Sequence, residues 1–358
     1  MQLPEHGANP HHVYATVGID LPARVLDFSE NVNPAGPPQA VREMWPELLA
    51  DIGAYPDPAG EPFLAEVANF HEVAKSSVFV GNGAAELLAL VAERYRGKRA
   101  IVVHPTFSEY EATLTAKQVE IVRVVAVETD GFKLPLREVK QAMSSAAVLY
   151  LCTPNNPTGV IPERDVLHDI ILYGAEVGCD IVLDEAFIDF VDETLSFIPA
   201  ITEHPHVIVV RSMTKMYAIP GIRLGYVVAS PTVIAGIKGL APHWNVNGIA
   251  ARIGAVCLAE ESFRQQAIQY SNQQREQLTA FLKANNCIVT DSVTNFLSFK
   301  VGQDAANELY RDLLARGIVL RHSENFRGMD GKWFRIGMKN EAEMAVLTEE
   351  MRRWFSEN

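Results

Sequence analysis

Cysteine is scarce in this chain and scattered: Cys152, Cys179, Cys257 and Cys287 form no CxxC pair and have no histidine at a zinc-finger offset. That spacing excludes a disulfide framework and a cysteine-based zinc site, so reduced thiols and no metal are the expectation. Positive charge is short as well. Against 44 Asp and Glu stand 31 Lys and Arg, a formal net charge of -13. No basic run is long enough to follow a phosphate backbone, and nucleic acid is not an expected partner. Long apolar runs are missing: none approaches the roughly 18 residues that mark a membrane-spanning helix. The opening MQLPEHGANPHHVYATVGID lacks the basic-then-apolar pattern of a secretory signal. A cytoplasmic location with no membrane partner follows as the expectation. Internal repeats and low-complexity segments are absent too.

What the chain does have is apolar material for a large core. Its 358 residues, 48% hydrophobic and 21% charged, have the composition of a folded protein of about two domains. Short apolar runs rich in β-branched residues recur at Ala100 to Val103, Ala147 to Cys152, Asp180 to Leu183, Val207 to Val210 and Tyr226 to Ala229. Helical periods or turn residues separate most of them, as in Arg164 to Val177. Continuous apolar runs alternating with helices mark parallel strands buried on both faces. The fold class is therefore α/β with a central, mostly parallel sheet. Beyond it, Glu260 to Ala284 reads as one long connecting helix. Strand-like and helical segments then alternate from Asn295 to Phe355, a small α+β unit. The expected organisation is an N-terminal arm over 1–50 that contributes to the small domain, a large domain over 51–245, a connecting helical region over 246–285 and a small C-terminal domain over 286–358.

In open α/β sheets ligands bind at the carboxyl ends of the strands, and four such ends are unusual here. The run ending at Cys152 enters Thr153, Pro154, Asn155, Asn156, Pro157, Thr158, Gly159, which is neither helix nor ladder but a loop that holds a side-chain amide. The run Asp180 to Leu183 ends in Asp184 and Glu185, carboxylates partly withdrawn from water that call for a cationic partner. After Val207 to Val210 come Arg211, Ser212, Met213, Thr214 and Lys215, with Arg223 eight residues on in a glycine-bracketed turn. Finally, Val78 to Val80 leads into Gly81, Asn82, Gly83, Ala84, Ala85, Glu86 and an apolar helix, a start whose backbone N–H groups make an anion cradle. Together these supply an amine that condenses with aldehydes, a carboxylate, an amide donor and a phosphate cup. That set suits pyridoxal 5′-phosphate, whose aldehyde bonds a lysine and whose ring nitrogen needs an acidic partner. A nicotinamide enzyme would need GxGxxG and an acidic residue about 20 positions on; GNGAAE lacks the third glycine.

With PNNPTG, DEAF, SMTK and GIRLGY in this order, the chain resembles the fold type I pyridoxal-phosphate enzymes of the class I/II aminotransferase group over nearly its full length. The resemblance implies that Lys215 is the Schiff-base lysine, Asp184 keeps ring N1 protonated and Asn156 donates to the ring hydroxyl. It implies further that Ser212, Arg223 and the amides of Gly83 and Ala84 bind the cofactor phosphate and that Phe107, in HPTFSEY, stacks on the ring. Tyr55, in AYPDP, resembles the tyrosine that reaches the neighbouring subunit's cofactor, which implies a homodimer with shared sites. Arg335, in WFRIG, is similar to the arginine that clamps the substrate carboxylate.

Two branches of the group compete, the histidinol-phosphate aminotransferases and the L-threonine-O-3-phosphate decarboxylases of cobalamin biosynthesis. EHGAN with LDFSENVNPAGPP, TFSEYE, and LRHSENFRGMDGKWFRI resemble the decarboxylase segments, and Phe187 stands where the aminotransferases usually have tyrosine. Either branch implies a small phosphorylated substrate. Arg321 is the candidate for its phosphate, helped by His6 and Asn9 of the arm, although a strand-end arginine and a terminal histidine also read as ordinary surface residues.

Overall fold

The computed structural model describes residues 3–4, 7–302 and 305–357. Its strands are β1 (Leu26–Asp27), β2 (Val78–Gly81), β3 (Arg99–His104), β4 (Glu120–Val125), β5 (Val148–Cys152), β6 (Asp180–Asp184), β7 (Val207–Ser212), β8 (Gly225–Val228), β9 (Ile288–Val289), β10 (Phe296–Lys300), β11 (Ile318–Val319), β12 (Arg321–His322) and β13 (Trp333–Gly337). The apolar runs become a seven-stranded sheet of order β2-β8-β7-β6-β5-β3-β4. Neighbours from β7 to β4 run parallel, while β8 lies antiparallel to β7 and β2. This is the mostly parallel sheet expected from the sequence.

Alternation along the central strands feeds two cores. Leu149, Leu151, Ile181, Leu183, Val207 and Val209 face one layer of helices, and Val148, Tyr150, Val182, Ile208 and Val210 face the other. Both faces are covered, which is why these strands read as unbroken apolar runs. The exception is β4, a strand outside the predicted set. Its Glu120, Arg123 and Val125 are exposed, as suits an edge strand whose charges discourage further pairing.

A second, four-stranded antiparallel sheet has the order β12-β13-β10-β9. Beside it, β1 pairs in parallel with β11, Leu26 opposite Ile318. The helix Pro10–Val17 packs Val13, Tyr14 and Val17 into the core formed by Leu309, Leu313, Phe334 and Leu347. The Tyr14 hydroxyl donates to the Leu314 carbonyl at 2.8 Å. The helix Glu261–Ala284 joins the two bodies, with Ala267 in a core of the seven-stranded sheet and Leu278 and Leu282 in that of the smaller body. The loop after β5 meets the second sheet, where Ser298 Oγ of β10 donates to the Pro157 carbonyl at 2.7 Å. Among the described residues no helix is long and apolar enough to cross a membrane.

Candidate active site

Asp184 ends β6 in register with Cys152 on one side and Val210 on the other. It is 4% exposed. Its Oδ2 accepts from the Tyr110 hydroxyl at 2.6 Å and its Oδ1 from the Ala186 amide at 3.0 Å. Burial pushes its pKa up, against the Tyr110 hydrogen bond and the charge of Lys215. No Lys or Arg lies in ion-pair contact with it among the described residues, so a buried carboxylate held by neutral donors still has room for a cationic ligand.

Lys215 lies in the turn after β7, and its Nζ donates to Ser212 Oγ at 2.9 Å. Burial lowers its pKa, and Arg223 and Arg335 push in the same direction against Asp184. An amine biased toward its neutral form is a nucleophile. Ser212 Oγ also bonds Thr214 Oγ1 at 2.9 Å. Opposite stands the helix Ala84–Glu93, whose first turn has no side-chain cap. The Gly83 amide is spent on the Gly81 carbonyl at 2.8 Å. That of Ala84 falls in the first turn, where a helix offers no acceptor. Gly83 has φ +82°, and a Cβ there would come within 2.6 Å of Arg223 Nη2. Arg223, itself at φ +60°, thus lays its guanidinium directly over the helix start. A cationic side chain, free amides and a dipole converge here, the donor set for a phosphate.

Asn156 and Arg335 meet across the two sheets. Arg335 Nη1 donates to Asn156 Oδ1, and its Nη2 donates to the Ser29 carbonyl at 2.6 Å. The Asn156 oxygen is therefore occupied, and its NH2 is the end left to donate to a ligand. Arg335 is buried with no carboxylate in ion-pair contact among the described residues. Burial and the neighbouring Arg321 lower its pKa to about 9. Arg321 is its register partner on β12, also buried, with Nη2 donating to Asn325 Oδ1 at 2.8 Å and the guanidinium 4.9 Å over the Phe326 ring.

The remaining candidates sit further out. Phe107 is half-buried, edge-on to Tyr110 at 5.9 Å, and so on the Asp184 side of the site. Asn9 caps the helix Pro10–Val17 through its backbone, and its exposed side chain makes no cap bond. The arm it belongs to does reach inward: the Ala8 amide donates to Ser29 Oγ at 2.9 Å, and the Pro4 carbonyl lies 3.1 Å from His322 Nε2. His6 lies outside the described residues. Tyr55 is 85% exposed with its ring 5.2 Å from Trp244, and nothing within the described chain ties it to Lys215. Phe187 packs edge-on against Phe296 at 4.9 Å and lies 5.8 Å below the Lys215 amine.

Tyr110, in the first turn of the helix Glu109–Ala116, went unread in the sequence. Arg211 was also missed, as the partner of Glu185. Arg211 is 1% exposed and bonds Glu185 Oε2 at 3.0 Å, Asp189 Oδ1 at 2.9 Å and Glu193. This ion cluster braces the ends of β6 and β7, one residue from Asp184 and from Ser212. Among the described residues no group of three or more His, Cys, Asp or Glu is arranged to hold a metal.

The fold and the lysine, aspartate and helix-start constellation define a class of protein, and residues 23–351 match the family model for aminotransferase class I and II. The chain belongs to that family. It is 34% identical to the threonine-phosphate decarboxylase of Salmonella typhimurium over 97% of this chain and 95% of that protein. Among solved structures, the histidinol-phosphate aminotransferase of Clostridium acetobutylicum superposes with a TM-score of 0.88 at 24% identity, covering 93% of this chain and all of that one (100%). The L-threonine-O-3-phosphate decarboxylase of Porphyromonas gingivalis gives a TM-score of 0.81 at 23% identity, over 92% of this chain and 99% of that one. At these identities the two structures report the fold alone.

Proposed function

We propose that this chain is a cytoplasmic, pyridoxal 5′-phosphate-dependent decarboxylase that converts L-threonine O-3-phosphate to aminopropanol phosphate and carbon dioxide, a step of cobalamin biosynthesis. The observation that carries the reading is the pair of buried arginines, Arg321 and Arg335, side by side on adjacent strands. Two adjacent guanidinium groups are a donor set for a ligand with two anionic groups. Phosphothreonine carries a carboxylate and a phosphate on one short skeleton and matches that set. The likeness to the Salmonella decarboxylase supports the same choice.

When bound, pyridoxal phosphate supplies an aldehyde that condenses with amines and a ring that accepts the electron pair released at Cα. Asp184 would hold the proton on the ring nitrogen, Asn156 would donate to the ring hydroxyl and Phe107 would cover one ring face. Ser212, Arg223 and the Ala84 amide would hold the cofactor phosphate. Lys215 would return a proton to Cα after carbon dioxide has left. Arg335, braced by Asn156 and Ser29, would orient the carboxylate, and the bond so aligned is the one that breaks. In this division residues 51–245 hold the cofactor, 286–358 bring the substrate arginines, and the arm over 1–50 braces Arg335 through the Ser29 carbonyl.

The test is carbon dioxide release from L-threonine O-3-phosphate by the cofactor-loaded protein with no keto acid present. Stoichiometric release with aminopropanol phosphate is expected; amino transfer from histidinol phosphate to 2-oxoglutarate without carbon dioxide would replace the proposal. Arg321→Ala is expected to lower kcat/KM on phosphothreonine by about 10²-fold, as for one partner of a buried charge pair. Its effect on unphosphorylated threonine should be much smaller, and equal losses on both would mean that the phosphate is held elsewhere.

We also infer a homodimer. The 3-10 segment Trp45–Gly53 exposes Trp45, Leu49 and Ile52 by 55%, 73% and 69%, next to Tyr55, an apolar surface of the kind that subunits cover. The double variant Leu49→Asp, Ile52→Asp should sediment as a monomer and hold its cofactor more weakly; an unchanged dimer would relocate the interface.

A further inference from the structure

The two substrate arginines belong to the second sheet, whereas the cofactor residues belong to the first, and a further small core lies where the two bodies meet. Ala126 and Phe132, just beyond β4, pack against Phe326, Met329 and Trp333 of the β12–β13 segment. Each end of this core leads to an arginine. Phe326 lies under the Arg321 guanidinium at 4.9 Å, and Trp333, edge-on to Phe132 at 5.2 Å, stands two residues before Arg335 on the same strand face.

One carboxylate fastens the joint. Glu128, in the turn Glu128–Asp130, accepts from Lys300 Nζ at 2.9 Å with both of its oxygens and from the Trp333 indole N–H at 3.3 Å. Lys300 and Trp333 are direct partners across β10 and β13, so a single group of the first body grips two strands of the second. Trp333 is 2% exposed, but Glu128 is about a third exposed (34%). As a surface ion pair the contact adds little stability. Its value lies in position, because it fixes β13 relative to the segment after β4 and so sets where Arg335, and Arg321 beside it, stand.

We propose that Glu128 and Trp333 are positioning residues for the anionic substrate, acting through Arg335 and Arg321 without touching substrate or cofactor. The inference rests on the substrate reading above, so its test separates the two. Cofactor-loaded Glu128→Gln and Trp333→Phe, the second of which keeps the ring contact and loses only the N–H, are assayed for carbon dioxide release from phosphothreonine. Both are also titrated with it while the absorbance of the bound cofactor is followed. The expected result is a rise of about fivefold or more in KM and in the titration midpoint, the scale of one ordinary hydrogen bond. Within the same variants kcat should stay within about twofold and the spectrum before substrate is added should be unchanged, the pattern of lost uniform binding.

Midpoints equal to those of the unsubstituted protein, or a fall in kcat at constant KM, would overturn the proposal. If the unsubstituted protein releases no carbon dioxide, the substrate reading fails by itself. Histidinol phosphate then serves as the titrant: a shifted midpoint still supports the positioning role, and an unshifted one ends it.

Discussion

Lys215→Ala is expected to abolish turnover, with kcat down by about 10³-fold or more, the scale of losing both an attacking amine and a proton carrier. The amine is half-buried among Ser212, Asp184 and two arginines, and its lowered pKa comes from that setting and not from its own chemistry. Among the described residues no other lysine shares this setting: Lys300 and Lys339 are engaged by Glu128 and Glu30. A second reading is independent of rate. Borohydride treatment of the loaded protein should fix the cofactor to the chain at Lys215, seen as a mass increment on its peptide, and the alanine variant should show no increment. A labelled peptide elsewhere, or full activity in the variant, would remove Lys215 from its role.

The second large effect is expected at Asp184. Asparagine keeps the shape and one acceptor for the Ala186 amide, but it brings no negative charge to face a protonated ring nitrogen. Removing one partner of a buried ion pair costs about 3–5 kcal/mol. At roughly 1.4 kcal/mol per decade this is about 10²-fold to a few thousand-fold in kcat. Cofactor retention should change far less, because the phosphate cradle of Ser212, Arg223 and Ala84 is on other elements. The diagnostic measurement is the absorbance of the bound cofactor against pH, whose titration should move in Asp184→Asn. A variant with low kcat and an unmoved titration would show that Asp184 acts only structurally.

Much of this site was legible because parallel strands advertise their own ends. An unbroken apolar run that stops at Asp184, or at the approach to Lys215, marks a polar group at the ligand edge of a sheet before any coordinates are known. Arg335 and Asn156 were readable as motif residues, but their mutual bond was not, since it spans 179 positions. Tyr110 was hidden for the same reason: its only signal is a contact with Asp184 at a separation of 74. β4 escaped because half its residues face water, which breaks the apolar run. β1 and β11, at two residues each, are too short to carry a period. Arg321 read equally well as surface or site, and it is 4% exposed.

The pairing of β1 with β11 also has a consequence for the order in which the molecule is finished. A ribosome delivers the arm first, yet Tyr14 must wait for Leu314, its acceptor 300 residues later. Leu26 must likewise wait for Ile318. The seven-stranded sheet needs no strand beyond β8, so it can assemble as a unit while the remainder is still being made. A cofactor cradle therefore precedes the substrate arginines during synthesis. The arm reaches His322, through the Pro4 carbonyl, only once both ends of the chain have met.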